Sequence, residues 1–216
     1  YDVEIINENM LGKKISSYDL KSADILCVSC ITATINRGKE IAEKYKILRP
    51  DGRKIIGGIH SSMIPEDVKE KFDHVFVGEA EEKILDVLSG KINDKVIYGG
   101  HVEMKNVPIP DFKLLRGWKG IKRWPVMTSR GCPYDCNFCS VTQMFGRKYR
   151  MHNIDRVMKE IKRYKKGRIF FIDDHFAANP ERTHKLMDKI IESGIDLKWS
   201  AQVRTEVAKD KSLVAK

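Results

Sequence analysis

A chain of 216 residues with 42% hydrophobic and 32% charged side chains has the composition of a folded globular protein, which excludes disordered and collagen-like architectures. Its formal charge of +10 is uneven: residues 1–90 sum to −3, residues 91–124 to +5 and residues 125–216 to +8, a pattern that predicts two units with unlike surfaces. No stretch has the apolar length of a membrane span, and Asp2, Glu4 and Glu8 interrupt any signal-like run; the chain starts at Tyr1 rather than Met, so a preceding segment is expected.

In chain order, Val3-Glu4-Ile5-Ile6 reads as a short strand and Ile25-Leu26-Cys27-Val28-Ser29 as a second, apolar enough to be buried on both faces. Ile41, Ala42 and Tyr45 share one face of a helix, and Pro50-Asp51-Gly52 is turn chemistry. Lys54-Ile55-Ile56 then runs into Gly57-Gly58, and Pro65-Glu66-Asp67 opens a short helix. His74 to Val77 is a strand ending at Gly78, and a helix carrying Ile84, Leu85 and Leu88 closes at Gly90. This alternation predicts an open Rossmann-like parallel α/β sheet over residues 1–90.

Residues 91–124 lose the periodicity and read as a connector broken by Gly99-Gly100, Pro108, Pro110, Gly117 and Gly120. A second βα series occupies residues 125–216. It opens on the strand Val126–Ser129. Asn153 then caps a helix with Ile154, Val157, Met158, Ile161 and Tyr164 on one face and Gly167 as its stop. Arg168 to Ile172 is a strand running into Asp173-Asp174. Asn179-Pro180 starts the next helix, which Gly194 ends, and Lys198 to Val203 is a third strand. Lys159, Lys162, Arg163, Lys165, Lys166 and Arg168 read as a solvated helix side, so no nucleic-acid partner is expected.

Five cysteines is an odd count, and three fall in Cys132-Pro-Tyr-Asp-Cys136-Asn-Phe-Cys139. Such clustering points to metal or redox chemistry in a reducing compartment, with the cytoplasm as the expected location. Closely spaced thiolates suit an iron–sulfur cluster or zinc. Three without a fourth leave one iron of a cube open, whereas zinc would want a further ligand, for which His152 is the nearest in sequence. Cys27 and Cys30 also have a CxxC spacing, but side chains three apart on a strand point to opposite faces, so both are expected to be buried apolar thiols.

Cys132, Cys136 and Cys139, preceded by Thr128-Ser129-Arg130-Gly131 and with Phe138 before the last cysteine, resemble the signature of the radical S-adenosylmethionine superfamily. The resemblance implies a [4Fe-4S] cluster whose open iron chelates S-adenosylmethionine, reductive cleavage to a 5′-deoxyadenosyl radical, and the first half of a (βα)6 partial TIM-type barrel. It places Phe138 near the adenine and the end of the second strand near the amino group of S-adenosylmethionine. The family's Gly-Gly-Glu is absent there, and Asp173 and Asp174 stand in its place, with a capping or salt-bridged pair as the alternative. Ser200, Gln202 and Arg204 alternate along and beyond the third strand, so as an inward set they could hydrogen-bond the cofactor's ribose or carboxylate; an ordinary surface set is the other reading. A small-molecule substrate and an electron donor such as flavodoxin or ferredoxin follow from the same resemblance.

Gly57-Gly58-Ile-His60 and Gly78-Glu79-Ala80-Glu81, with Ser29, Thr32 and Thr34, resemble the cobalamin-binding-type domain found ahead of many radical S-adenosylmethionine barrels. Cobalamin is thus a second expected cofactor. The family's Asp-x-His-x-x-Gly cobalt-ligating signature is missing, so His60 is either a ligand or a loop residue, with Gly57 and Gly58 allowing close approach. Compared with these families the chain reads as a fragment, short of a first strand and of later barrel strands. Two other readings are a tRNA methylthiotransferase-like enzyme, whose N-terminal domain would need three more cysteines, and a non-catalytic iron–sulfur or zinc module.

Overall fold

The computed structural model describes residues 1–164 and 168–216, and the chain divides into two compact units. The first holds Tyr1–Val102 and Phe112–Gly117, the second Glu103–Asp111 and Trp118–Lys216.

In the first unit, helices α1 (Glu8–Leu11) and α2 (Ser17–Ser22) precede strand β1 (Ile25–Ser29). Then follow α3 (Ile35–Leu48), β2 (Arg53–Gly57), α4 (Ile59–Met63), β3 (His74–Val77), α5 (Ile84–Leu88) and β4 (Val96–Tyr98). The strands pair in parallel in the order β1-β2-β3-β4, so all their carboxyl ends lie on one edge. One core lies beneath α2 and α3, where Leu20, Leu26, Ala42, Tyr45 and Ile56 are buried. A second, under α5, gathers Ile55, Phe76, Val87 and Ile97.

Three expectations change here. Val3–Ile6 forms no strand of the sheet; it makes a single bridge from Ile5 to Leu115, and Glu4 pairs with Arg116 instead. Val96–Tyr98, inside the expected connector, is the fourth strand; three residues are too few to show a period. β1 is an edge strand, so it buries Leu26 but leaves Cys27 exposed, against the expectation of two buried thiols. Cys30 is buried, packed where a Cβ on Gly38 would lie 2.6 Å from its sulfur.

In the second unit, β5 (Arg123–Val126) begins three residues before the expected strand. It is followed by β6 (Ser129–Arg130), α6 (Val141–Phe145), β7 (Arg150–Met151), α7 (Ile154–Ile161), β8 (Arg168–Phe171), α8 (Pro180–Glu192), β9 (Lys198–Ala201) and α9 (Lys211–Val214). The main sheet is parallel in the order β5-β8-β9, the arrangement that successive right-handed βα units generate as a barrel begins to close. Asn153 and Asn179 cap α7 and α8 through their side chains, and Pro180 stands at the first turn of α8. Val157, Ile161, Leu186 and Ile190 from these helices pack on Val126, Ile169 and Phe171. Lys159, Lys162, Arg163 and Arg168 are exposed, as a solvated helix side requires; Lys165, Lys166 and Gly167 lie outside the described residues.

Candidate functional site

The cysteine loop is a closed excursion from the end of β5. β6 and β7 pair antiparallel, Ser129 with Met151 and Arg130 with Arg150, so residues 131–149 leave and return at one point. Gly131 starts the excursion at φ +82°, and a Cβ there would lie 2.6 Å from the Lys148 carbonyl. Only glycine fits that close backbone crossing. Cys132, Cys136 and Cys139 are free thiols of intermediate exposure, and the Cys139 amide donates to the Cys136 carbonyl at 2.9 Å. Phe138 is 88% exposed, a large apolar ring left bare beside the thiols.

The base of this loop is held by the strand-end aspartate. Asp173 is 1% exposed and accepts hydrogen bonds from the Thr128 and Ser129 amides at 2.6 and 2.8 Å and from the Thr128 hydroxyl at 2.5 Å. Arg182, buried at the start of α8, donates to the Thr128 hydroxyl, the Thr128 carbonyl and the His152 carbonyl. Burial pushes the Asp173 carboxyl up and the Arg182 guanidinium down, because both charges sit away from water. Asp173 therefore positions the loop, with both of its oxygens engaged at Thr128 and Ser129. Asp174 is half-buried, its carboxyl raised by burial and opposed by the Gly131 amide facing it, which sets it directly against the start of the cysteine loop.

Ser200 is exposed and in register with Phe170, on the sheet face away from α7 and α8. Gln202 and Arg204 lie beyond the end of β9. The Gln202 carbonyl accepts from the Phe176 amide at 3.0 Å. Arg204 reaches back over the cysteine loop, with its guanidinium 4.1 Å from the Tyr134 ring centroid and Nη1 3.9 Å from the Cys136 sulfur.

At the carboxyl edge of the first sheet, Gly58 has φ +94°, and a Cβ there would meet the Cys30 carbonyl and the Ser29 hydroxyl at 2.9 Å. Gly57 is under no such constraint, since its added Cβ would touch only the Phe76 Cβ at 3.7 Å. His60 is buried, with Nδ1 3.2 Å from the Thr32 hydroxyl and Nε2 2.9 Å from Asp67, which Lys39 also holds. Both ring nitrogens are engaged, and His60 ties α4 to the loops around it. Glu79, on the same edge, is buried and accepts from the Val102 amide at 3.1 Å.

Residues 126–206 match the family model of the Radical SAM superfamily, and residues 1–88 that of the B12 binding domain. The chain thus carries a radical SAM domain behind a B12-binding-type domain. It is 29% identical to an uncharacterized methyltransferase of Pyrococcus horikoshii over 98% of this chain and 53% of that protein. It is 24% identical to the bacteriochlorophyllide d C-12(1)-methyltransferase of Chlorobaculum tepidum, over 94% of this chain and 46% of the relative. With the hopanoid C-3 methylase of Methylococcus capsulatus it shares 26% identity over 85% of this chain and 41% of that one. The chain thus spans about half the length of the curated relatives it matches. Among solved structures, the radical S-adenosylmethionine methyltransferase TsrM of Kitasatospora setae superposes with a TM-score of 0.64 at 14% identity, covering 80% of this chain and 41% of TsrM; the likeness is one of fold.

A radical SAM domain implies a [4Fe-4S] cluster and S-adenosylmethionine, and its donor set, three free thiols on one loop, fits the cluster. Among the described residues no three His, Cys, Asp or Glu side chains converge on a single ion. A cube bound at three separate irons takes three thiolates, and here three free thiols stand on a loop pinned at its base. Two residues that matter here, Arg182 and Tyr134, were given no role by the sequence, and Thr128 figured there only as a flank of the cysteine motif. Only the cap at Asn179, which puts the first turn of α8 at the strand ends, hinted that Arg182 points inward.

Proposed function

We propose that this chain carries the cofactor-binding part of a cobalamin-dependent radical S-adenosylmethionine enzyme that methylates a carbon of an apolar small molecule. The observation that carries the reading is the pairing of a B12-type unit with a radical SAM unit whose three free thiols stand on one pinned loop. Relatives named as methylases of bacteriochlorophyllide and hopanoid support an apolar ring system as the substrate class.

In this reading Cys132, Cys136 and Cys139 hold a [4Fe-4S] cluster, which supplies one electron, drawn from a flavodoxin- or ferredoxin-like donor, to cleave S-adenosylmethionine. The exposed Phe138 ring offers its face to the adenine, and Asp174 is the carboxylate left to meet the cofactor's ammonium, since Asp173 is committed. Gly58 keeps the carboxyl edge of the first sheet low enough for a flat macrocycle to approach, with Ser29 beside it. Free thiols suit a reducing, cytoplasmic setting, and no described helix is long and apolar enough to cross a membrane.

A second reading, radical ring closure, is favoured by the similarity to the anaerobic magnesium-protoporphyrin IX monomethyl ester cyclase of Rubrivivax gelatinosus, 24% identical over 97% of this chain. Anaerobic purification with iron, sulfide and cobalt quantified, followed by assay for 5′-deoxyadenosine and S-adenosylhomocysteine, tests both. Four irons per chain with stoichiometric cobalt and S-adenosylhomocysteine formation are expected for methylation; 5′-deoxyadenosine without S-adenosylhomocysteine would favour ring chemistry. Zinc in place of iron would sink the whole reading.

A further inference from the structure

The side chains around Tyr134 form a cluster that cofactor binding does not by itself explain. Arg204, just beyond β9, makes a cation–π contact with the Tyr134 ring at 4.1 Å, with Nη1 3.9 Å from the Cys136 sulfur. Its Nε donates to Glu206 at 2.9 Å, so one edge of the guanidinium is held by a carboxylate and another faces the thiol. The buried His175 ring, which follows β8, stands 5.6 Å from the same tyrosine, tilted 43° to it. Tyr134 lies between the first two cysteines, so this seat fixes the cation relative to the loop's own backbone.

We infer that Arg204 is a positioning residue that sets the reduction potential of the cluster at Cys136, rather than a ligand for the carboxylate of S-adenosylmethionine. The inference rests on the proposed cluster site. A donor and positive charge beside a cluster thiolate stabilise the state with the extra electron, because hydrogen bonds and charge near the sulfurs tune cluster potentials. The step concerned is the one-electron reduction of the [4Fe-4S] cluster from its 2+ to its 1+ state, with the electron taken from the external donor. Glu206 offsets part of that charge, so the Arg204–Glu206 pair works as a graded control.

The test is a dithionite titration with redox mediators on the full chain, reconstituted anaerobically and without S-adenosylmethionine, with the reduced cluster followed by electron paramagnetic resonance. Arg204→Leu is expected to load iron as the parent does and to lower the midpoint potential by about tenfold in the one-electron equilibrium constant, ~59 mV. Arg204→Lys should recover part of that shift, since it restores charge without the planar fork. Glu206→Gln should move the potential the opposite way. If Arg204→Leu fails to load iron, the sign of the Glu206→Gln shift decides. A parent-like potential in Arg204→Leu, with weaker S-adenosylmethionine binding as its only defect, would overturn the inference, as would a Glu206→Gln shift to lower potential. A parent protein that binds no cluster would instead defeat the proposed function itself.

Discussion

Asp173 and Thr128 are 45 residues apart in sequence, yet they meet through two hydrogen bonds, from the Thr128 amide and hydroxyl, inside a core that excludes water. The strand end that sequence patterns mark for cofactor chemistry serves here to lock the start of the cysteine loop. Arg182 closes the same knot from α8, so residues that follow β5, β7 and β8 share one buried polar network with the first turn of α8.

Removing that carboxylate should loosen the unit. Asp173→Ala strands the Thr128 and Ser129 amides and leaves Arg182 buried without its countercharge, an expected loss on the order of 3 kcal/mol. Asp173→Asn keeps one acceptor oxygen and should lose about half as much. All the tryptophans, Trp118, Trp124 and Trp199, lie in the second unit, so urea unfolding followed by tryptophan fluorescence reads it selectively. Unchanged midpoints would contradict the network.

Iron binding should discriminate the two sets of cysteines. Cys136→Ala is expected to abolish the cluster, whereas Cys27→Ala, on an exposed edge-strand position of the other unit, should leave iron content intact. Gly131→Ala should lower iron loading several-fold without touching a thiol, because its Cβ collides with the Lys148 carbonyl. Colorimetric iron analysis after anaerobic reconstitution checks all three, and equal iron loss in Cys27→Ala would reject the assignment.

At the edge of the first sheet the two adjacent glycines should behave differently. Gly58 occupies φ +94°, ψ −174°, a region open essentially to glycine alone, so Gly58→Ala should cost roughly 1–3 kcal/mol and weaken any cobalamin binding. Gly57→Ala meets only ordinary contact and should be nearly neutral. Circular-dichroism melts paired with cobalamin titration separate the two; similar behaviour in both variants would refute the argument.

Acid should weaken the second unit through His152. This ring is 2% exposed and surrounded by Arg156, Arg130 and Arg182; burial first, then those charges, hold its pKa down to about 4. The unfolded chain, with an ordinary histidine near 6.5, binds the proton more readily, so stability is present above that value and falls as pH drops toward 4. The contribution reaches at most ~3 kcal/mol. Urea midpoints by tryptophan fluorescence at pH 7 and pH 5 should fall in the parent and fall less in His152→Leu; parallel falls would remove His152 as the cause.

Much of the architecture was legible from local pattern. The two βα series, the caps at Asn153 and Asn179 and the three-cysteine loop all depend on neighbours within a few residues, which is the range over which hydrophobic period and turn chemistry act. The family likeness rested on the same short range, on Cys132, Cys136, Cys139 and their flanks.

Partnership was decided by the tertiary structure. Two consecutive aspartates are equivalent on paper, yet one is sealed against Thr128 and Ser129 and the other meets the Gly131 amide at the start of the loop. His60 found Thr32 and Asp67, Cys27 found solvent on an edge strand, and Arg204 found Tyr134 across a gap of 70 residues. Length and charge, with which the sequence begins, bounded the number of units and the sign of each surface. Where each polar group would find its partner depended on which distant backbone arrived beside it, and no local period records that.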